Sequence, residues 1–166
     1  MTKDIQSYGS DTTVIIPTAD VRTLVESMIK NYLRSKGMPS SLAASLILHE
    51  KSVTLGAIIT DVILSTIMDI KDTVYSAQAV IHKSAHMKAI AKLSDMIVDI
   101  LNEFRGYETD YAEIKEFIAM LEFEIEDGLI KAFNGCSVFP TAANFIRADR
   151  VNYSNPHTDI CVTMRV

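Results

Sequence analysis

Two groups of residues in this 166-residue chain have types and spacings that could do chemistry. The first is His82 and His86, in the stretch HKSAH. Residues four apart on a helix share one face, so both imidazoles could approach one metal ion. Lys83 stands where an HExxH site has its glutamate, no third ligand is fixed by spacing, and Lys83 and Lys88 repel a cation. The expectation is two surface histidines and no metal. The second group is C-terminal: Arg147, Arg150, Asn152, Tyr153, Asn155 and His157 fall close together, and Arg165 follows. Guanidinium forks, a phenol ring and amides on a loop suit a small anionic or planar ligand, such as a nucleotide. The candidate ligand-binding residues are therefore Arg147, Arg150, Tyr153, Asn155 and His157, with no catalytic residue assigned. The same groups equally suit docking on an acidic helix face.

Six residues separate Arg150 from His157. That spacing resembles the R-x4–6-H pattern of HEPN-type ribonucleases, in which the pair sits at a helix start and cleaves RNA in a dimer. The resemblance implies a helical RNA-cleaving domain with Arg150 and His157 as its pair. Here Val151 replaces the usual polar residue, and Asn155-Pro156 interrupts a local helix. Glu113-x-x-Glu116 and Glu124-x-x-Asp127 resemble the paired carboxylates of helical nucleotide pyrophosphatases, which hold Mg²⁺ between two facing helices. Both pairs fall here on one predicted helix, so the spacing predicts a solvated acidic face. No GxGxxG, GxxxxGK[ST] or GxSxG stretch is present, and no cofactor is expected.

The elements that must position these residues are organised around Val53–Ile70, VTLGAIITDVILSTIMDI. At helical spacing Thr54, Asp61, Ser65, Asp69 and Asp72 make one narrow polar stripe, and aliphatic residues cover the rest. A helix apolar on most sides is buried on most sides. It belongs in the middle of a bundle, or under a second subunit. Asp61 at mid-segment argues against a membrane span, since an aspartate at a bilayer centre costs about 2.5–3.5 kcal/mol.

The remaining pattern predicts an all-α fold of four to five helices, with two long antiparallel helices and a C-terminal irregular tail ending in a short β-strand. The helices are Ala19–Lys36, closed by Gly37 and Pro39; a short one from Ser40; the central one, capped by Ser52 after a break at Lys51–Val53; Val74–Phe104; and Tyr107–Phe133. The outer face of the last carries mostly glutamate and aspartate. Residues 40–70 have the length of a helix-turn-helix, but the second helix offers Gly56, Ala57, Ile58 and Ile59 where a major groove needs polar and basic groups. Ile160, Val162, Met164 and Val166 alternate with Cys161, Thr163 and Arg165, as in a strand. Its partner is Thr13–Ile16 or another copy of the chain. The organisation expected is an arm over 1–17, a helical bundle over 18–135, and an extension over 136–166 packed on the bundle or on a neighbouring subunit.

A net charge of −5 argues against nucleic acid as a partner. Cys136 and Cys161 have no metal-site spacing and read as reduced, hence a cytoplasmic setting. The polar N-terminus carries no secretory signal. The functional expectation is a non-catalytic interaction or assembly protein that homo-oligomerises through an apolar helix face and its C-terminal tail, the tail pairing with a neighbouring copy or with a different protein partner. The alternatives are a protein that binds a small anionic ligand at the C-terminal cluster, and the HEPN-like ribonuclease.

Overall fold

The structure is a computed structural model that describes residues 11–40, 50–71, 77–105, 110–134, 136, 145–149 and 158–165. Its elements are β1 (Asp11–Ile16), α1 (Ala19–Ser35), α2 (Glu50–Lys71), α3 (Ala77–Arg105), α4 (Tyr111–Asn134), β2 (Phe145–Asp149) and β3 (Ile160–Arg165). The protein is mostly helical, with one small antiparallel sheet in the order β1-β3-β2. The short helix expected from Ser40 falls mainly outside the described residues.

The central helix behaves as its composition dictates. Leu55, Ile58, Ile59, Val62, Ile63, Leu64 and Ile67 of α2 are all buried. So are Thr60, Ser65 and Thr66. A buried hydroxyl needs a partner, and the helix supplies it. Thr60 Oγ1 donates to Gly56 O at 2.9 Å and Thr66 Oγ1 to Val62 O at 2.7 Å. α2 packs chiefly on α3 and also touches α1 and α4. Over the side chains whose burial is described, one chain therefore covers this helix. The burial of Ile58 and Ile59 also removes the helix-turn-helix reading. The expected break at Lys51–Val53 is absent: Glu50–Lys71 is one helix, and Ser52 lies inside it rather than capping it. No glycine or proline is there to stop a helix.

α1 ends as predicted. Gly37 has φ +97°, Gly37 N donates to Arg34 O at 2.9 Å, and Met38 N donates to Leu33 O at 3.2 Å. This is the left-handed glycine closure, with Met38 buried behind it. The start of α1 is less local. The Thr18 hydroxyl accepts a bond from Ile160 N at 3.0 Å, and Asp159 Oδ1 accepts one from Ala19 N at 2.9 Å. The helix N-terminus is thus held by the segment leading into β3. α4 is capped locally, by Asp110 Oδ1 accepting from Ala112 N at 3.0 Å and Glu113 N at 3.3 Å.

β3 is the middle strand. Ile160, Val162 and Met164 are buried and lie beside Ile16, Val14 and Thr12 of β1. The partner left open by the sequence is therefore in the same chain. β2 corrects the picture of an irregular tail: Phe145–Asp149 is a strand paired with β3. A register irregularity between Phe145 and Arg147 leaves Ile146 exposed and hides the two-residue alternation. None of the helices described is long and apolar enough to cross a membrane.

Candidate functional site

Three helices each supply one side chain to the arrangement with most chemical character. Ser65 comes from the buried helix α2, His86 from α3 and Glu122 from α4. Ser65 Oγ lies 2.8 Å from His86 Nδ1, and His86 Nε2 lies 3.5 Å from Glu122 Oε2. The imidazole is mostly covered, at 15% exposure, while Glu122 is 41% exposed. Ser65 is anchored in turn, donating to Val62 O at 3.0 Å.

His86 and Glu122 also line a cleft of about 400 Å³ between α3 and α4. Met87, Ile90, Ala91 and Ile118 give it apolar walls, and Asp95 and Lys115 lie on its lining too. That volume is within the range of small-molecule sites, roughly 300–1,000 Å³. A second groove of about 410 Å³ runs between the start of α1 and the end of α4. Asp20, Glu124 and Asp127 make it acidic, and Lys131 offsets part of that charge through a 2.9 Å pair with Asp127.

Hydroxyl, imidazole and carboxylate in a row is the order of a hydrolase triad. The setting does not fit that chemistry. Ser65 is buried, with Val62 O of its own helix within hydrogen-bond reach as well as His86. It sits in the interior of α2, where backbone N–H groups are used by the helix and cannot form an oxyanion hole. The row acts instead as a positioning chain: α2 fixes Ser65, Ser65 fixes the ring of His86, and the ring edge is presented toward Glu122.

Of the sequence-derived candidates, Arg147 lies exposed on β2, in register with Thr163 of β3 and Thr13 of β1. Arg150, Tyr153, Asn155 and His157 lie outside the described residues, as does Asn152. His82 belongs to α3, but its side chain is not among those described. Two of the acidic residues of α4 are paired with lysines: Glu113 with Lys36 and Asp127 with Lys131. Among the described residues no group of three or more His, Cys, Asp or Glu is placed to hold a metal. Both cysteines are free, and burial pushes the Cys136 thiol up from its ordinary value.

Sequence reasoning reached His86 but not its partners. Ser65 lies 21 positions before it, Glu122 belongs to a further helix, and no short-range spacing encodes such a contact. It also missed an apolar strip on α4. Met120, Phe123 and Ile130 are exposed within the face that the acidic count marks as solvated. No protein-family model, no curated protein and no solved structure matches this chain.

Proposed function

We propose that this chain is a non-catalytic assembly protein that associates with its own copies through the outer face of α4. The observation carrying the proposal is exposure: Met120 is 50% exposed, Phe123 67% and Ile130 39%. At 3.6 residues per turn these three, with Ala119, lie opposite Ile114, Ile118, Leu121, Ile125 and Leu129, which form the core face. A helix apolar on both sides covers the second side with a partner. The surrounding architecture in this reading is a bundle with α3 and α4 antiparallel. The shared lining of their cleft supports it, since His86 meets Glu122 while Asp95 and Lys115 line the same space.

Charge favours a head-to-tail contact. Packing α4 on its own copy about Met120 and Phe123 would oppose Glu116 and Asp127. A contact with a different, less acidic surface of the next copy avoids that repulsion. Light scattering after gel filtration tests the reading. Wild type is expected above the 18.4 kDa monomer mass, and Phe123→Glu is expected to return it to monomer. A wild-type monomer at every concentration up to hundreds of micromolar would sink the proposal.

A second reading, a site for a small anionic ligand, draws on Arg147 and on Thr163. The buried Thr163 hydroxyl has no hydrogen-bond partner among the described residues. A thermal-shift screen with phosphate and nucleotides tests it, with Arg147→Ala expected to abolish any shift. A ligand at 100 times its dissociation constant adds about 2.7 kcal/mol of stability.

A further inference from the structure

A surface that receives the α4 strip on the next copy must meet two requirements. It needs exposed apolar area, and it must not repel α4, which carries six acids against Lys115 and Lys131. Among the described residues outside α4, four large apolar side chains are exposed: Ile15, Leu24, Met87 and Ile146. Leu24 lies in the groove with Asp20, Glu124 and Asp127 against Lys131, and Met87 in the cleft with Asp95 and Glu122 against Lys115. Both settings are acidic. Ile15 and Ile146 belong to the sheet, whose three strands hold Asp11 and Asp149 against Arg147 and Arg165, a net charge of zero.

We infer that α4 of one copy lies across the outer face of the three-stranded sheet of the next, with Met120, Phe123 and Ile130 packed on Ile15 and Ile146. The inference rests on the reading of α4 as the contact surface. Its dimensions agree. Val14 and Ile16 share the core side of the sheet with Val162 and Ile160, so alternation turns Ile15 to the other side, where it is 60% exposed. Ile146, at the register irregularity of β2, is 39% exposed. β1 and β2 flank β3, so the two isoleucines stand about 9.5 Å apart across the strands. Along the strands Ile15 is level with Cys161 and Ile146 with Thr163 or Met164, about 7–10 Å further on, for a span of roughly 12–13 Å. The strip from Met120 to Ile130 is about 15 Å long and reaches both. One face meeting a different face is a heterologous contact. Each added copy brings a free sheet and a free α4, so assembly runs past two chains into a ring or a filament.

Two variants at exposed positions test this by light scattering: Phe123→Glu on α4 and Ile15→Glu on the sheet. Ile146→Glu repeats the second, and circular dichroism checks that each folds. Ile15→Glu is expected to raise the concentration needed for assembly at least about tenfold. Mixed together, Phe123→Glu and Ile15→Glu are expected to form a complex of two chains, each of 18.4 kDa, because one keeps the sheet face and the other keeps α4. With the Phe123→Glu chain isotopically labelled, the mixture is expected to shift amides at Thr13, Ile15 and Ile146 and none along α4. Sheet variants that assemble at the wild-type concentration would overturn the sheet as the receiving surface and leave the α4 contact standing. A mixture that stays monomeric, or shifts along α4 of the labelled chain, would overturn it as well. A monomeric wild type removes both.

Discussion

Gly128 is the place where one added carbon tests the packing of α1 against α4. A Cβ built there would lie 3.0 Å from Val21 Cγ2. Carbon atoms pack best at about 3.5–4.0 Å, so the methyl overlaps. Val21 is buried and β-branched on a helix, which leaves it one strongly preferred rotamer. It cannot swing aside. Two effects then compete in Gly128→Ala. Alanine gains about 0.8–1.0 kcal/mol of helix propensity over glycine. Overpacking a tight contact costs about 1–3 kcal/mol. The clash wins or draws, and the net effect is between none and about 2 kcal/mol of destabilisation. Shaving Val21 to alanine reverses the sign. In that background the new methyl fills space, and Gly128→Ala is expected to stabilise by about 1 kcal/mol. Urea unfolding of the four proteins in the cycle gives the coupling, expected at about 1–3 kcal/mol. Stabilisation by Gly128→Ala in the wild-type background, or one effect in both backgrounds, would refute the argument that α1 and α4 meet through this glycine.

Tyr32 stacks on Phe117 with ring centres 4.1 Å apart, and burial, with Asp110 as a lesser cause, raises its phenol pKa. Below pH ~10 both folded and unfolded states keep that proton. Above it the unfolded phenol ionises first, so stability falls as pH rises past 10, and Tyr32→Phe should flatten the decline in unfolding curves taken between pH 9 and 11. Arg22 is 1% exposed, and burial lowers its pKa while Glu26 opposes the shift. Arg22→Ala, which leaves a void beside Glu26, should lose about 2–5 kcal/mol in the same urea assay. Asp159→Ala removes the cap that β3's lead-in gives to α1 and should cost about 1–2 kcal/mol by thermal unfolding, with Asp159→Asn recovering most of it.

What could be read in advance was what neighbours in sequence decide. Gly37 and Pro39 stop α1, because a left-handed residue followed by a proline cannot continue a helix. The near-continuous aliphatic cover of α2 announces burial before any partner is known. The alternation of Ile160, Val162 and Met164 announces a strand with one face in the core. What stayed hidden is set by distance or by irregularity. The side chain that holds the α1 N-terminus lies 140 residues away, so Thr18 looks like an ordinary cap although its hydroxyl serves Ile160. β2 conceals its alternation behind a bulge. On α4, glutamates surround Met120 and Phe123 so densely that composition describes a wet face, and only exposure reveals the apolar strip within it. The same holds for the cleft: histidine, serine and glutamate meet because three helices cross there, and a linear reading sees them as separate surface residues.

Among the described residues of α2 the buried hydroxyls of Thr60, Ser65 and Thr66 are not equivalent, and the difference bears on why Ser65 is there. Thr60 and Thr66 turn back to carbonyls one turn earlier, at Gly56 and Val62. That removes them from the surroundings. Ser65 reaches its own helix at Val62 O and also hydrogen-bonds His86 Nδ1, so it alone of the three joins α2 to another helix through a side chain. Replacing it by alanine strands little. Val62 O keeps its helix partner and the Thr66 hydroxyl, and His86, partly exposed, can turn Nδ1 toward water. A buried polar group removed without leaving an unmet partner is close to neutral. Ser65→Ala is therefore expected to change unfolding free energy by less than about 1 kcal/mol, with a small gain as plausible in sign as a loss. A large destabilisation would mean that the hydroxyl is a structural tie between α2 and α3. A near-neutral result would leave the orientation of the His86 ring as what Ser65 provides.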